Sequence, residues 1–599
     1  MRLSTIYSNL PNGFRRIDFN PGLNVVLGDI RDPENRDKSV HNLGKTTLAR
    51  VIDFCLCRKK DPKFFLFKHE EMFKDFVFFL ELETLSGQYL TIRRSVAEAS
   101  KLSFATHPTP RRNLVDSDSA DWDHEYVGFD SGKQILDGLL GLSAVKPWDF
   151  RVPVGYSLRT QSDFTDVFQL AKNAAGKHRY WKPYVAHILG FDAQLVVQGY
   201  DIEDAIEALK QKIATLRLEL GAADIDLDEV RGLIKIKEED VSALQAAADK
   251  FDFEINDSAI NTEVVEQLDA ELAELNTTRY SLSRTRKRIV DSLQAENIQF
   301  RPNAARKLFE EAGVVFPYQV KREFDDLVRF NREIAEERIE YLKAELELTS
   351  ERLASTTVRI DELNKRRQSE LHSLSDADSV SKYRDLNERL VAMKNDLSSL
   401  ERQREALLGI RQKETELKKL KRELEDQNEA LQNNVDQQGA KENGRYIRVR
   451  AALADLCNQF LGHKALITTR VNAEGHLDFE AEFLDTHSHP TSEDDGKSYK
   501  QALCAAYDLA IAKVLLREDF LRFVYHDGLL EGMDDRIKLN MIKVLRDLAD
   551  QGIQQILTVI DSDLPIDSDG QKFSFDDDEV VRTLHDGGPE GRLFNSDIW

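Results

Sequence analysis

The chain has 599 residues, 32% of them charged and 41% apolar, with a formal net charge of −23. That length allows a large core and roughly two to four domains, while the acidic balance excludes a uniformly basic nucleic-acid binder and leaves room only for a local basic patch. Glycine (29) and proline (14) are sparse, which leans towards long helices.

The N-terminus, MRLSTIYSNL, has no signal-peptide core. No apolar run in the chain is long enough to span a bilayer, so a soluble, cytoplasmic protein is expected. RIDFNPGLNVVLG predicts two strands around the turn Asn20-Pro21-Gly22. The second strand, Leu23 to Leu27, leads into a loop ending in Gly44-Lys45-Thr46-Thr47 and a helical pattern at Leu48, Val51 and Ile52. Strand, loop with Gly-Lys-Thr, then helix is a phosphate-binding arrangement. Backbone N–H groups at the helix start cradle phosphate oxygens. Lys45 would reach the β- and γ-phosphates of ATP, and the Thr46 hydroxyl would hold Mg²⁺. Ser39 stands where the usual spacing has its first glycine, Asn42 lies in the same loop, and Asp29 to Lys38 form an insertion.

Cys55 and Cys57 are two apart on the predicted helix and face different ways; with Cys457 and Cys504 they read as core residues of a reducing compartment rather than a zinc site. FKDFVFFLELETLSGQYLTIRRSV predicts two further strands meeting at Ser86-Gly87, whereas residues 101–150 are acidic and poorly periodic and read as surface loops. Gln161 follows a short β-like run, where a glutamine can contact Mg²⁺ or an attacking water.

From residue 200 the pattern changes. Ile202, Ile206, Leu209, Ile213, Leu216 and Leu220 form a heptad seam, resumed at Val265, Leu268, Leu272, Leu275, Leu282, Ile289 and Leu293. Residues 300–324 break it, with Pro302, Gly313 and Pro317, before heptads return at Leu386, Leu390, Met393, Leu397, Leu400 and Leu407. Interruptions at 251–260 and 371–381 lie about equally far from 300–324, so an antiparallel hairpin turning there would set them side by side as a joint. Each arm would reach roughly 150 Å if wholly helical, less with the joint. A parallel homodimeric coil is the alternative, and it leaves the matched breaks unexplained.

Beyond residue 440 the pattern returns to α/β. ALITTRV and HLDFEAEFL predict a hairpin around Asn472 to Gly475. A loop then enters the helix at GKSYKQALCAAYDLAIAKVLL, followed by strand FLRFVYH, a helix to about residue 550, and strand QQILTVI. The first of these strands ends at Asp527, and a carboxylate ending a buried strand can hold Mg²⁺ opposite Thr46.

These residues together resemble the coiled-coil ABC-type ATPases, the SMC, RecN and SbcC proteins. The resemblance implies an α/β ABC-type P-loop ATPase head split by a long antiparallel coiled-coil hairpin. Residues 1–199 would form the N-terminal half of the head, 200–299 the outgoing arm, 300–325 the tip, 326–440 the returning arm and 441–599 the C-terminal half. Gln161 matches the Q-loop, and 496–511 sits at the signature, where Gly496 and Ser498 would face the γ-phosphate of a second copy's ATP. FVYHDGLLEGMDD matches the Walker B strand and D-loop, the latter Glu531 to Asp534. The tip lacks the cysteines of a zinc hook. The inserted phosphate loop and the Phe/Pro-rich tip look most like the ATPase subunits of Lamassu-type or three-component ABC anti-phage systems.

The departures are specific. Gly528 stands where the family has its catalytic glutamate, and Asp561 where it has its switch histidine. Hydrolysis needs a group that deprotonates water; here His526, Glu531 or Asp561, or a group elsewhere, would supply it. Nucleotide binding needs no such base. The resemblance also implies a homodimer of ATP-sandwiched heads, DNA as a partner, and effector and small accessory subunits, with no membrane. Arg93-Arg94, Arg111-Arg112 and LKKLKREL at 417–424 are candidate DNA contacts and equally solvated faces. Three readings follow: a DNA-sensing defence ATPase, a repair or chromosome-organising ATPase, and a coiled-coil scaffold with relic heads.

Overall fold

The computed structural model describes the chain apart from residues 32–42, 172–177, 221–225, 251–258, 300–317, 373–376, 486, 492–495, 567–569 and 597–599. The strands are β1 (Arg2–Ser8), β2 (Ile17–Asp18), β3 (Leu23–Asp29), β4 (Val77–Glu83), β5 (Tyr89–Ser95), β6 (Lys101–His107), β7 (His124–Gly128), β8 (Leu158–Arg159), β9 (Ala465–Val471), β10 (Leu477–Phe483), β11 (Phe523–Asp527), β12 (Gln554–Ile560) and β13 (Val580–His585). The helices of the first third are α1 (Lys45–Cys55), α2 (Phe65–Lys68), α3 (Glu70–Phe73), α4 (Phe129–Leu140), α5 (Arg151–Ser157) and α6 (Lys182–Leu189). Long helices follow: α7 (Ala193–Glu219), α8 (Leu227–Asp249), α9 (Ala259–Gln299), α10 (Tyr318–His372) and α11 (Ala377–Ala440). The last three are α12 (Arg445–Leu461), α13 (Lys497–Val514) and α14 (Asp535–Asp550). Two compact units result, residues 1–204 with 421–599, and residues 205–420.

The first unit is α/β. Its central sheet has the order β13-β3-β12-β11-β8, and every pairing in it is parallel. Strands buried on both faces read as continuous apolar runs, as LNVVL and QQILTVI do, and β11 and β12 are buried along their whole lengths. Strands from the two ends of the chain are interleaved in this sheet, β3 lying between β13 and β12, so neither end builds it alone. A second, antiparallel sheet runs β2-β1-β4-β5-β6-β7, and β9 and β10 form a separate hairpin. One core cluster joins both sheets to α1, α6, α12, α13 and α14.

Residues 101–150 depart from the loop expectation. They contain β6, β7 and α4, and the side chains of Leu102, Phe104, Leu136 and Leu140 are buried in the core. The acidic stretch DSDSADWDHE hides these short elements because its aspartates cap turns, Asp118 with Asp121 among them.

The second unit is helical. Leu209 and Ile213 pack on Ile410, Arg217 pairs with Glu414 at 2.5 Å, and Lys237 pairs with Asp396 at 3.0 Å. From Arg217 to Lys237 the partner number falls from Glu414 to Asp396, and Lys394 donates to the Gln245 side-chain oxygen at 2.8 Å, so α7 and α8 run antiparallel to α11. Leu268 and Leu272 pack on Ile360 and Leu363, and Arg359 pairs with Glu271 at 3.0 Å, which makes α9 and α10 antiparallel as well. Thr277 donates to Asn395 at 3.2 Å, and the Arg402 guanidinium stands 5.9 Å from the Tyr280 ring. Here the numbers rise together, so α9 runs parallel to α11 and opposite to α8. An extended arm of roughly 150 Å is therefore replaced by two helix pairs lying side by side. The expected tip and joint fall largely on residues 300–317, 251–258 and 373–376, outside the described residues.

Candidate nucleotide site

The central sheet delivers the candidate residues from strand ends. β3 runs towards α1, whose N-cap is Gly44 at φ 99°. A Cβ at Gly44 would lie 2.7 Å from the Leu593 Cβ, so both backbone and space demand glycine. No side chain caps α1 and no acid occupies its first turn. Its first N–H groups, including those of Thr46 and Thr47, have no intrahelical partner and favour an anion. Ser39 and Asn42 lie outside the described residues.

Lys45 is 4% exposed. Its ammonium has no hydrogen-bond partner; the Glu531 Oε1 stands 3.8 Å away. Burial lowers its pKa, and the charges of Glu531, Asp527 and Asp563 work against that shift. The Tyr525 hydroxyl donates to the Lys45 carbonyl at 3.0 Å and fixes the start of α1 to β11. An orphaned buried cation beside open helix N–H groups fits a polyphosphate.

Thr46 Oγ1 donates to Asp527 Oδ2 at 2.5 Å, and Thr558 Oγ1 donates to Asp527 Oδ1 at 2.6 Å. Asp527 is fully buried. One carboxylate with a hydroxyl fits Mg²⁺, which takes hard oxygen donors and completes its shell from phosphates and water. Among the described residues no cluster of three or more acidic, histidine or cysteine ligands exists.

Gln161 opens a short 3₁₀ helix, with Thr160 and Asp163 forming its capping box. Its Nε2 donates to Glu531 Oε1 at 2.7 Å. Gly528, following Asp527, has φ +69°, and a Cβ there would stand 2.7 Å from both Gln161 Nε2 and Glu531 Oε1. At the position expected to carry a glutamate the backbone thus favours glycine, and a Cβ would have to displace the ends of the Gln161 and Glu531 side chains. The turn from Gly528, closed by the Glu531 N–H to the Gly528 carbonyl at 3.1 Å, puts the Glu531 carboxylate between Gln161 and Lys45. Gln501 shapes this turn by donating to the carbonyls of Gly528 and Leu529 at 2.7 and 2.8 Å.

The other candidates lie elsewhere. His526 neighbours Asp527 on β11, so its side chain points to the opposite face; its ring is 3.3 Å from Asp508. Asp508 in turn takes two hydrogen bonds from Arg159, at 2.6 and 2.9 Å. Asp561 opens the 3₁₀ helix after β12 and pairs with Lys572 at 2.5 Å, whereas Asp563 of the same turn acts on Lys45. Gly496 caps α13, and Ser498 Oγ donates to the Gly532 carbonyl at 2.9 Å. Among the described residues no hydrogen bond joins either to residues 44–47.

Residues 456–598 match a family model described as an uncharacterised protein conserved in bacteria (DUF2326). No curated protein matches the chain. Among solved structures it is similar to an Smc head domain with a coiled coil and joint derived from Pyrococcus yayanosii, at 12% identity and a TM-score of 0.33, over 93% of this chain and 92% of that one. A second is an Smc head domain with an extended coiled coil, bound to the C-terminal domain of ScpA, derived from Pyrococcus furiosus, at 10% identity and 0.32, over 94% and 90%. At those values the functional reading rests on this chain's own geometry. No helix among the described residues is long and apolar enough to cross a membrane.

Sequence reasoning did not reach Thr558, Asp563, Gln501 or Leu593. Thr558 is a single polar residue within the apolar run of QQILTVI, the only signal it gives. Leu593 matters through its backbone as much as its side chain: its N–H donates to the Leu43 carbonyl at 3.1 Å. Next to it, Phe594 packs edge-on to Phe73 and Phe76 at 5.0 and 5.4 Å. Asp586 accepts from the Arg31 N–H at 2.8 Å, so residues 586–593 hold both stems of the loop.

Of the arginine pairs Arg94 is buried and structural, whereas Arg111 and Arg112 are exposed and tied by hydrogen bonds and an ion pair. Arg94 is buried and donates to the carbonyls of Phe54, Arg58 and Ala99. Arg93 stacks near Trp122 at 4.3 Å and pairs with Glu125 at 2.9 Å. Arg111 donates to the Phe19 carbonyl at 3.0 Å, and Arg112 pairs with Asp121 at 2.5 Å.

Proposed function

We propose that this chain is an ATP-binding and ATP-hydrolysing SMC-like subunit, working as a homodimer on DNA and governing partner effectors in bacterial anti-phage defence. The observation that carries the ATP reading is the buried, unbonded Lys45 ammonium at the open start of α1, beside the Thr46–Asp527 pair. Lys45 and the first N–H groups of α1 bind the phosphates and offset the cost of burying that ammonium. Thr46 and Asp527 would hold a Mg²⁺ ion, which supplies charge neutralisation at the β- and γ-phosphates. Glu531 takes the proton from the attacking water and Gln161 orients it, because the carboxylate and the amide meet at 2.7 Å beside Lys45.

Ser498 donates to the Gly532 carbonyl of its own chain, and among the described residues neither it nor Gly496 bonds residues 44–47. That supports a site completed by the Gly496–Ser498 segment of a second copy, with ATP stabilising the dimer. The defence role and its effector subunits rest on the resemblance of the inserted loop and tip; effector genes beside this one support it, and their absence favours the repair reading. The deciding experiment is nucleotide binding and sedimentation, with and without ATP and Mg²⁺, on wild type and Lys45→Ala. Wild type is expected to bind ATP and self-associate, and Lys45→Ala to do neither. Equal ATP binding by the two proteins overturns the reading.

A further inference from the structure

We propose that the groove between α9 and α11 seats the phosphate backbone of a nucleic acid. In a chain of net charge −23, α9 carries RYSLSRTRKR at 279–288, with cations at Arg279, Arg284, Arg286, Lys287 and Arg288 and no carboxylate. Where this stretch meets α11 there is a cavity of about 210 Å³, lined on one side by Tyr280, Arg284, Thr285 and Arg288 and on the other by Arg402. Among the described residues no acidic side chain lines it. Arg288 Nη2 donates to the Thr285 hydroxyl at 3.2 Å, which orients that guanidinium along the groove. Tyr280 is 53% exposed at the groove's edge.

Three guanidiniums around a space this small suit phosphate, for which the planar guanidinium fork is matched. The cavity is smaller than most small-molecule sites, so it takes one phosphate group rather than a whole nucleotide. Lys287 stands beside this seat on α9, whereas Arg279 and Arg286 fall on the opposite side of the helix. A polymer of phosphates uses both, one group seated between Arg284, Arg288 and Arg402 and the next on Lys287. The exposed Tyr280 ring offers a stacking surface to a base of an unpaired strand. This names a surface for the DNA part of the reading above, and it does not depend on nucleotide binding by the head.

The test is fluorescence anisotropy of the full chain with labelled duplex and single-stranded DNA across a salt series. Wild type is expected to bind, with affinity falling steeply as salt rises. Arg284→Glu/Arg288→Glu/Arg402→Glu is expected to lose at least tenfold and to flatten the salt slope by about two to three. The control is Lys210→Glu/Lys212→Glu/Lys235→Glu, the same charge change on exposed positions of α7 and α8, expected to stay within about twofold. No binding by wild type, full binding by the groove variant, or equal loss in both variants overturns the proposal. Should the groove variant lose helical signal, Arg284→Gln/Arg288→Gln replaces it and is expected to lose affinity with helicity intact. ATP binding measured on the same samples separates the two readings, since the groove variant is expected to bind ATP as wild type does.

Discussion

The Glu531 carboxylate stands where a Cβ at residue 528 would approach it to 2.7 Å, so the proposed base and the glycine at 528 belong to one turn. Glu531→Gln keeps the hydrogen-bonding shape but removes the base. ATP binding should persist while single-turnover phosphate release falls by about 10²–10⁴; an unchanged rate assigns the base elsewhere. Gly528→Glu should not rescue that variant. Its backbone at φ +69° disfavours any side chain, and the added Cβ meets Gln161 and Glu531 at 2.7 Å. Lys45 sets a second prediction at this scale. Its ammonium is buried without a hydrogen bond, and burial, the largest effect, holds its pKa below the ordinary lysine value. A base whose folded pKa is lowered binds fewer protons folded than unfolded between the two pKa values, so stability rises with pH through that window. Lys45→Met should therefore stabilise the nucleotide-free protein at neutral pH by about 1–2 kcal/mol while abolishing ATP binding. Urea titrations should show that advantage shrinking as the pH approaches the ordinary lysine value; an advantage independent of pH would assign it to packing.

At the scale of elements, the segment carrying Gln161 is held by one residue. Arg159 is fully buried, grips Asp508 with two hydrogen bonds, and donates to the carbonyls of Asp163, Asp166 and Val167 at 2.6–3.1 Å. Burial opposes its charge, but Asp508 outweighs burial and raises its pKa, so it stays protonated. Arg159→Met should cost about 3–5 kcal/mol, because a buried carboxylate is left unpaired. Thermal unfolding measures that loss, and a change below about 1 kcal/mol would mean that Asp508 finds another partner, His526 being nearest. The sequence signalled β3, β11 and β12 through their continuous apolar runs, and α1 through the Gly-Lys-Thr before it. It did not signal β13, a six-residue edge strand behind the acids 576–579. It showed the heptads of α7 to α11 but not their arrangement, since a leucine seam specifies that a partner exists and not which helix provides it. Nor did it show that residues 586–593 hold the phosphate loop, because backbone bonds such as Leu593 to Leu43 leave no residue pattern. Asp527 was legible at a strand end, whereas Thr558, which orients its carboxylate, looked like any threonine in a strand.

For the molecule as a whole, chain connectivity and sheet order are interleaved. β3 and β8 come from the N-terminal segment, and β11, β12 and β13 from the C-terminal one, in the order β13-β3-β12-β11-β8. β3 lies between two C-terminal strands, so residues 1–204 alone would expose both of its edges, and residues 421–599 alone would lack the strand between β12 and β13. The candidate site divides the same way, Thr46 bonding Asp527 and Gln161 bonding Glu531 across the two segments. The described residues of 205–420 add no strand to that sheet, and within the first unit the two segments already meet where Gln427 donates to the Leu195 carbonyl at 2.7 Å. Replacing 205–420 with a short glycine-serine linker should therefore leave a folded protein that binds ATP, because joining the segments costs only the closure of a short loop. Each segment expressed alone should aggregate, and the two co-expressed should recover ATP binding as a complex. Cooperative unfolding and ATP binding by residues 1–204 alone would show that the sheet does not need its C-terminal strands, and the split-site account would fail with it.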